Sequence, residues 1–261
     1  MSRRPNPLPR YYRWRSNVLQ APVLSLVTAI CGTTALLVSL VEKKGRWQHR
    51  IAQVWARGCL WSCWSRLNVH GAENFHKHKV AVYASNHTSY MDTPIIFAAL
   101  PFQFRILAKK ALWEWPFIGW FLQRSGQMPV DSENPSATLA SLGGGVKALR
   151  AGMPLFVFPE GGRTTEGHLQ PFLSGAAYLA IRAQVPLVPI AISGAYQLLP
   201  IHTHHFYPSK LTLHVGEPIE TRGMTVRQID NLTDRLRDAI QQMLGQPEER
   251  TVESAAPAHV S

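Results

Sequence analysis

The sequence predicts an α/β domain with a mostly parallel sheet flanked by helices, preceded by an N-terminal membrane-associated helical segment. Short apolar or β-prone runs alternate with helix-forming stretches from Val80 to Val215, the pattern of a parallel sheet with helical crossovers. Ser16–Val41 contains 26 residues without a formal charge, and about 20 apolar residues suffice to cross a bilayer. With 261 residues, 16% of them charged and 10% aromatic, the chain has room for one sizeable domain plus an appendage.

Residues 1–70 read as the membrane-associated part. Ala21–Val41 is mostly apolar, and no A-x-A pattern follows it, so signal cleavage is not expected. Arg3, Arg4, Arg10, Arg13 and Arg15 precede the run, and Lys43, Lys44, Arg46 and Arg50 follow it. This symmetry gives no orientation by the positive-inside rule. It suits a helix that dips into one leaflet as well as one that spans. Trp47–Leu67 interleaves Trp47, Trp55, Trp61 and Trp64 with Arg50, Arg57 and Arg66, residues suited to the headgroup boundary. A helix pair packed on the domain is the alternative. All 8 tryptophans fall within the first 120 residues. Cys31, Cys59 and Cys63 form no disulfide framework. Cys59 and Cys63 share a helix face and read as packing residues, in a reducing, cytoplasmic setting.

Residues 71–245 read as the catalytic domain. Val80–Ala84, Phe104–Ala108, Gln127–Val130, Leu155–Phe158, Leu187–Ile192 and Leu211–Val215 are expected strands. Pro94–Leu100, Ala137–Arg150 and Ser174–Gln184 are expected helices, the second weakened or broken by Gly143–Gly145. Thr225–Leu244 carries Val226, Ile229, Leu232, Leu236, Ile240 and Met243 on one stripe, and Thr225 with Gln228 makes a capping box. Residues 246–261 read as a flexible tail.

Two motifs carry the chemistry. Asn86-His87-Thr88-Ser89-Tyr90-Met91-Asp92 and Phe158-Pro159-Glu160-Gly161-Gly162-Arg163-Thr164 each follow an apolar strand. A regular helix would set His87 and Asp92 about 140° apart, so they converge only in a turn. Thr93-Pro94 suggests an N-cap and a first helical proline, leaving His87–Asp92 as a loop at a strand's end. Open α/β sheets bind ligands there. Asp92 would then fix the imidazole tautomer, leaving the other nitrogen to take a proton from a hydroxyl. Gly161 and Gly162 allow close approach to the backbone. Arg163 offers a fork for phosphate or carboxylate. Glu160 is expected to hold Arg163 or a ligand hydroxyl.

With these motifs in place, the chain resembles the 1-acylglycerol-3-phosphate acyltransferase family, within the glycerolipid acyltransferases. Four blocks carry the likeness in order: Asn86–Asp92, Gly126–Asp131, Phe158–Thr164 and Val185–Ile190. The resemblance implies the glycerolipid acyltransferase fold and acyl transfer from acyl-CoA or acyl carrier protein to a lysophospholipid hydroxyl, giving phosphatidic acid. It implies His87 as general base and Asp92 as its orienting partner. Lys109, Glu160, Gly161, Gly162, Arg163 and Thr164 would bind the acceptor, with no metal and no cofactor. It also implies an inner-membrane location with the catalytic domain on the cytoplasmic side. Ser132 and Leu173 stand where the family usually has cations, so another lyso-acceptor, a lysophospholipid or an acylated amino acid, is the alternative.

The rival classes fit less well. Formal charge of +11 calls for an anionic partner. The basic residues cluster around apolar, Trp-rich segments, which favours anionic membrane lipids over nucleic acid. G-x-S-x-G and the P-loop pattern are both absent. His202, His204 and His205 lie between Pro200 and Pro208 without carboxylates or cysteines and read as a loop. A non-enzymatic lipid-binding adaptor would have no need of His87 paired with Asp92.

Overall fold

The computed structural model describes residues 10–78, 80–131, 135–164, 167–201 and 203–245. Among them, seven strands form one sheet. In chain order they are Leu67–His70 (β1), Val82–Ser85 (β2), Arg105–Lys109 (β3), Met128–Val130 (β4), Leu155–Val157 (β5), Leu187–Ser193 (β6) and Leu211–Val215 (β7). The spatial order is β1-β7-β6-β2-β5-β3-β4. From β6 to β4 the strands run parallel, whereas β7 is antiparallel to β6 and β1 parallel to β7.

This order fixes where a site can form. The chain fills the side of β5, β3 and β4 first, then crosses β2 to lay down β6 and β7. The reversal of winding beside β2 opens a crevice at the carboxyl ends of β2, β5 and β6, where doubly wound sheets bind ligands.

Strand side chains alternate between the two faces. Tyr83, Phe156 and Ile190 pack under the helices Arg46–Ser62 and Asp92–Ala99. Val82, Leu155 and Leu187 pack under Pro135–Arg150, Gly175–Ala183 and Ile229–Gly245. Each such large side chain contributes about 1.5–3 kcal/mol when fully buried, so both layers hold the sheet rigid beneath its loops.

The six expected strands are present to within two residues at their ends, but β1 was not expected. Leu67-Asn68-Val69-His70 pairs only with β7 at the sheet's edge, three of its four residues exposed, so little apolar signal marks it. The sheet thus begins inside the expected helical segment. Gly143–Gly145 does not break its helix, which runs unbroken from Pro135 to Arg150. A Cβ on Gly145 would lie 2.7 Å from Leu179 Cδ2, so this glycine lets two helices approach. The Thr225–Gln228 capping box forms, with Thr225 N–H donating to Gln228 Oε1 at 2.9 Å. Ser132 and the tail 246–261 lie outside the described residues.

One continuous helix, Arg10–Val38, is long and apolar enough to cross a membrane, and only 6% of its most apolar window is buried. It packs on Arg46–Ser62. Trp55 Nε1 donates to Thr28 Oγ1 at 3.0 Å, and a Cβ on Gly58 would lie 2.7 Å from Val27 Cγ1. The second helix serves both sequence readings at once. Ala52, Ala56, Cys59 and Leu60 enter the core, and Trp47 and Trp61 stay exposed. Cys59 and Cys63 are buried in that core, as their spacing predicts.

Candidate active site

Asn86 ends β2 by tying it to β6. Its Nδ2 donates to the Ile192 carbonyl at 2.9 Å, and the Ile192 N–H donates to its Oδ1 at 2.8 Å. The next residue, His87, therefore leaves the sheet from a fixed point.

The turn after His87 differs from expectation in one respect. The helix starts at Asp92, with Met91 in the N-cap position and Pro94 inside the first turn, rather than after Asp92 with Thr93 as the cap. Among the described residues no side chain caps this helix, and the Asp92 carboxylate turns back onto the preceding loop. Oδ2 accepts the N–H groups of Thr88 at 2.6 Å and Ser89 at 2.8 Å, and a carboxylate suits the positive end of a helix. The same oxygen lies 2.8 Å from His87 Nδ1. Because Oδ2 acts as an acceptor toward both backbone donors, Nδ1 carries the ring proton, and Nε2 is left with its lone pair. The imidazole also stacks on Phe158, ring centroids 3.9 Å apart and 15° from parallel. His87 is held at its backbone, its ring face and one nitrogen.

The second motif supplies the backbone grip. Glu160 Oε1 accepts the His87 N–H at 2.6 Å, and its Oε2 accepts the Gln170 N–H at 2.9 Å. The Thr164 N–H donates to the His87 carbonyl at 3.1 Å, and Thr164 Oγ1 accepts from Gln170 Nε2 at 3.3 Å. Glu160 therefore does not hold Arg163, as one reading of the sequence expected. Arg163 instead stacks over Tyr90, its guanidinium carbon 4.3 Å from the ring centroid, and forms no ion pair among the described residues. Lys109, the last residue of β3, reaches the glycine loop: its Nζ is 3.8 Å from where a Cβ on Gly162 would stand. Gly161 takes φ +69°, the left-handed conformation, with exposed Leu173 beside it.

All eight residues selected from sequence thus converge at the carboxyl ends of β2, β3 and β5. Four further contributors went unassigned: Asn86, Tyr90, Phe158 and Gln170. The first three lie inside the motifs, but their partners, Ile192, Arg163 and His87, are set by strand order. Among the described residues no group of three or more His, Cys, Asp or Glu side chains is placed to hold a metal ion. His204 and His205 lie in an irregular segment, and His202 is outside the described residues.

Burial raises the Glu160 pKa to about 7, even though the N–H groups of Gln170 and His87 favour its ionised form. With its folded value above the ordinary one, Glu160 favours folding at acid pH and loses that contribution as pH rises through about 7. The grip on His87 has the opposite sense: both oxygens accept only in the ionised form. We expect Glu160→Gln to lower kcat about 10- to 100-fold, the loss of a buried charge-assisted hydrogen bond, with acceptor KM nearly unchanged. It should also remove a rise in wild-type kcat near pH 7. A raised KM at constant kcat would make Glu160 a substrate ligand instead.

A histidine fixed in tautomer and orientation, next to a glycine loop flanked by Lys109 and Arg163, has the makings of a base for group transfer to or from a hydroxyl. Residues 66–193, just under half of the chain, match the family model described as Acyltransferase. The chain is 29% identical over 180 residues to the 1-acyl-sn-glycerol-3-phosphate acyltransferase of Limnanthes douglasii, covering 69% of this chain and 63% of that one. It is 28% identical over 228 residues to the Saccharomyces cerevisiae enzyme of the same name, covering 84% and 75%. With the human 1-acyl-sn-glycerol-3-phosphate acyltransferase beta, identity is 27% over 223 residues, covering 83% and 80%. The chain thus spans less than two thirds of the length of the Limnanthes relative. The crystal structure of the 1-acyl-sn-glycerophosphate (LPA) acyltransferase PlsC from Thermotoga maritima superposes with a TM-score of 0.75 at 20% identity, over 91% of this chain and 100% of that one. The two share a fold.

Proposed function

We propose that the chain transfers a fatty acyl group from a thioester, acyl-CoA or acyl carrier protein, to the free hydroxyl of 1-acylglycerol-3-phosphate, giving phosphatidic acid. The observation that carries this is the His87–Asp92 pair at 2.8 Å, set beside the Lys109 and Arg163 cations of the glycine loop. The names of the relatives supply the acceptor.

In this mechanism His87 Nε2 takes the hydroxyl proton as the acceptor oxygen attacks the thioester carbonyl. The tetrahedral intermediate collapses with cleavage of the C–S bond, and His87 returns the proton to the departing thiolate. Asp92 holds the ring and stabilises the imidazolium that forms. Thioesters are already activated, so positioning and one base suffice; neither a metal, a cofactor nor a covalent acyl-enzyme is required. Lys109 and Arg163 hold the acceptor phosphate. The Arg10–Val38 helix and the exposed tryptophans support a site at a membrane, which we assign to the cytoplasmic face of the inner membrane.

A second reading, the same chemistry on a different lyso-acceptor, is favoured by Leu173. This residue is 59% exposed and touches the Gly161 position, where the family's usual cation would face the phosphate. Leu173→Arg is expected to lower KM for lysophosphatidic acid about threefold to tenfold, roughly the worth of one partly exposed charge pair. An unchanged KM would show that this position does not meet the phosphate. The acceptor is tested by giving the purified protein both labelled donors and a panel of lysophosphatidic acid, larger-headgroup lysophospholipids and acylated amino acids. Preference for lysophosphatidic acid is expected. Transfer confined to another member of the panel would replace the acceptor but keep the chemistry.

A further inference from the structure

Arg15 is only 8% exposed, yet among the described residues no carboxylate pairs with it. The ion pairs among the described residues are Lys77–Glu217, His78–Glu220, His87–Asp92 and Lys110–Asp131. Its hydrogen bonds go to neutral acceptors at long range: Nε to Gln20 Oε1 at 3.3 Å and Nη2 to the Phe206 carbonyl at 3.5 Å. The guanidinium carbon lies 4.7 Å from the Tyr12 ring centroid and 5.0 Å from that of Trp64. Two aromatic faces offset part of the desolvation of a buried cation, and an anion is the partner that offsets the rest.

The surroundings supply a place for one. Arg15 lines a cleft of about 460 Å³ together with Trp64, Ser65, Ser209 and Lys210. Lys210 is an exposed second cation. Trp64, at φ +57°, is the left-handed residue that closes the helix Arg46–Ser62, with the Ser65 N–H donating to the Leu60 carbonyl at 3.1 Å; this turn sets the indole against Arg15. None of these residues belongs to the His87 site. Tyr11, Trp14, Trp61 and Trp64 nearby in the chain are each more than half exposed, the residue types of a headgroup boundary.

We propose that this cleft binds the phosphate of an anionic phospholipid headgroup between Arg15 and Lys210, anchoring the protein at a point separate from the catalytic centre. The proposal rests on the membrane placement of the Arg10–Val38 helix. A free phosphate donor such as CoA offers the same chemistry, but the neighbouring apolar helix and exposed aromatic rings favour the lipid source.

The test is flotation of the full chain with vesicles of phosphatidylcholine alone or with an equal part of phosphatidylglycerol. Wild type is expected to bind the anionic vesicles more tightly. Lys210→Gln, an exposed change that leaves the core intact, should lose about fivefold of that preference, and Lys210→Arg should keep it. Arg15→Gln should lose at least as much. Binding to phosphatidylcholine alone, and activity in detergent, should not change in the Lys210 variants. An undiminished preference in both glutamine variants would overturn the proposal, as would a preference abolished by excess CoA, which would assign the cleft to the donor. Failure of wild type to float with either vesicle would overturn the membrane placement as well.

Discussion

His87→Ala is expected to lower kcat by about 10²- to 10⁴-fold, the usual contribution of a positioned general base. Acceptor KM should change little, because Lys109 and Arg163, the cations proposed to hold the phosphate, reach the site from other segments of the chain. The fold should survive. His87 is held through its backbone N–H by Glu160 and its carbonyl by the Thr164 N–H, and alanine keeps both bonds. The lost contact is the ring stacked on Phe158. Steady-state kinetics with varied acceptor, paired with a melting curve, separates the base from a structural role. A large rise in KM at constant kcat would place His87 in binding rather than in proton transfer.

Asp92 should be the second most sensitive position, and its two variants should fail differently. The side chain is fully buried, and one oxygen accepts from His87 Nδ1, Thr88 N–H and Ser89 N–H. Asp92→Ala strands two backbone donors, at about 1–3 kcal/mol each, so stability and activity should fall together. Asp92→Asn keeps the shape and can keep the backbone bonds through its carbonyl oxygen. It removes the negative charge that stabilises the imidazolium, so kcat should fall by roughly 10²- to 10⁴-fold with a far smaller stability loss. Nitrogen NMR of the imidazole should show the ring proton still on Nδ1 in this variant, so that the fall in kcat reports the lost charge. A variant that retains both the Nδ1–H tautomer and wild-type kcat would remove Asp92 from the mechanism.

The parts of the fold that were legible in sequence are those with strong apolar runs. β2, β5 and β6, buried on both faces, stand out as Val, Ile, Leu and Phe stretches and were placed nearly at their ends. β1 was missed because an edge strand with one partner needs little apolar character. The helix starts at Asp92, two residues before the expected Pro94. Thr93-Pro94 has the chemistry of a cap, but the carboxylate of Asp92 reaches back and satisfies the preceding N–H groups itself. At the site, residue types announced the His–Asp pair, since five positions and an intervening turn allow few other arrangements. The role of Glu160 was not legible. Its partner is the backbone of His87, brought near only because β2 and β5 are neighbours, and no pattern along the chain encodes a contact to a main-chain N–H. The uncompensated Arg15 was equally hidden, because its isolation from carboxylates depends on where the helix docks.

The central claim is direct acyl transfer to a lysophospholipid hydroxyl with His87 as the base. It is tested most directly by mixing the purified protein with acyl-labelled thioester and lysophosphatidic acid and following label into lipid and into protein. Wild type should form labelled phosphatidic acid without a labelled acyl-protein, and His87→Ala should form almost none. Equal product from the His87→Ala protein, or label trapped on the protein before acceptor is added, would contradict the account.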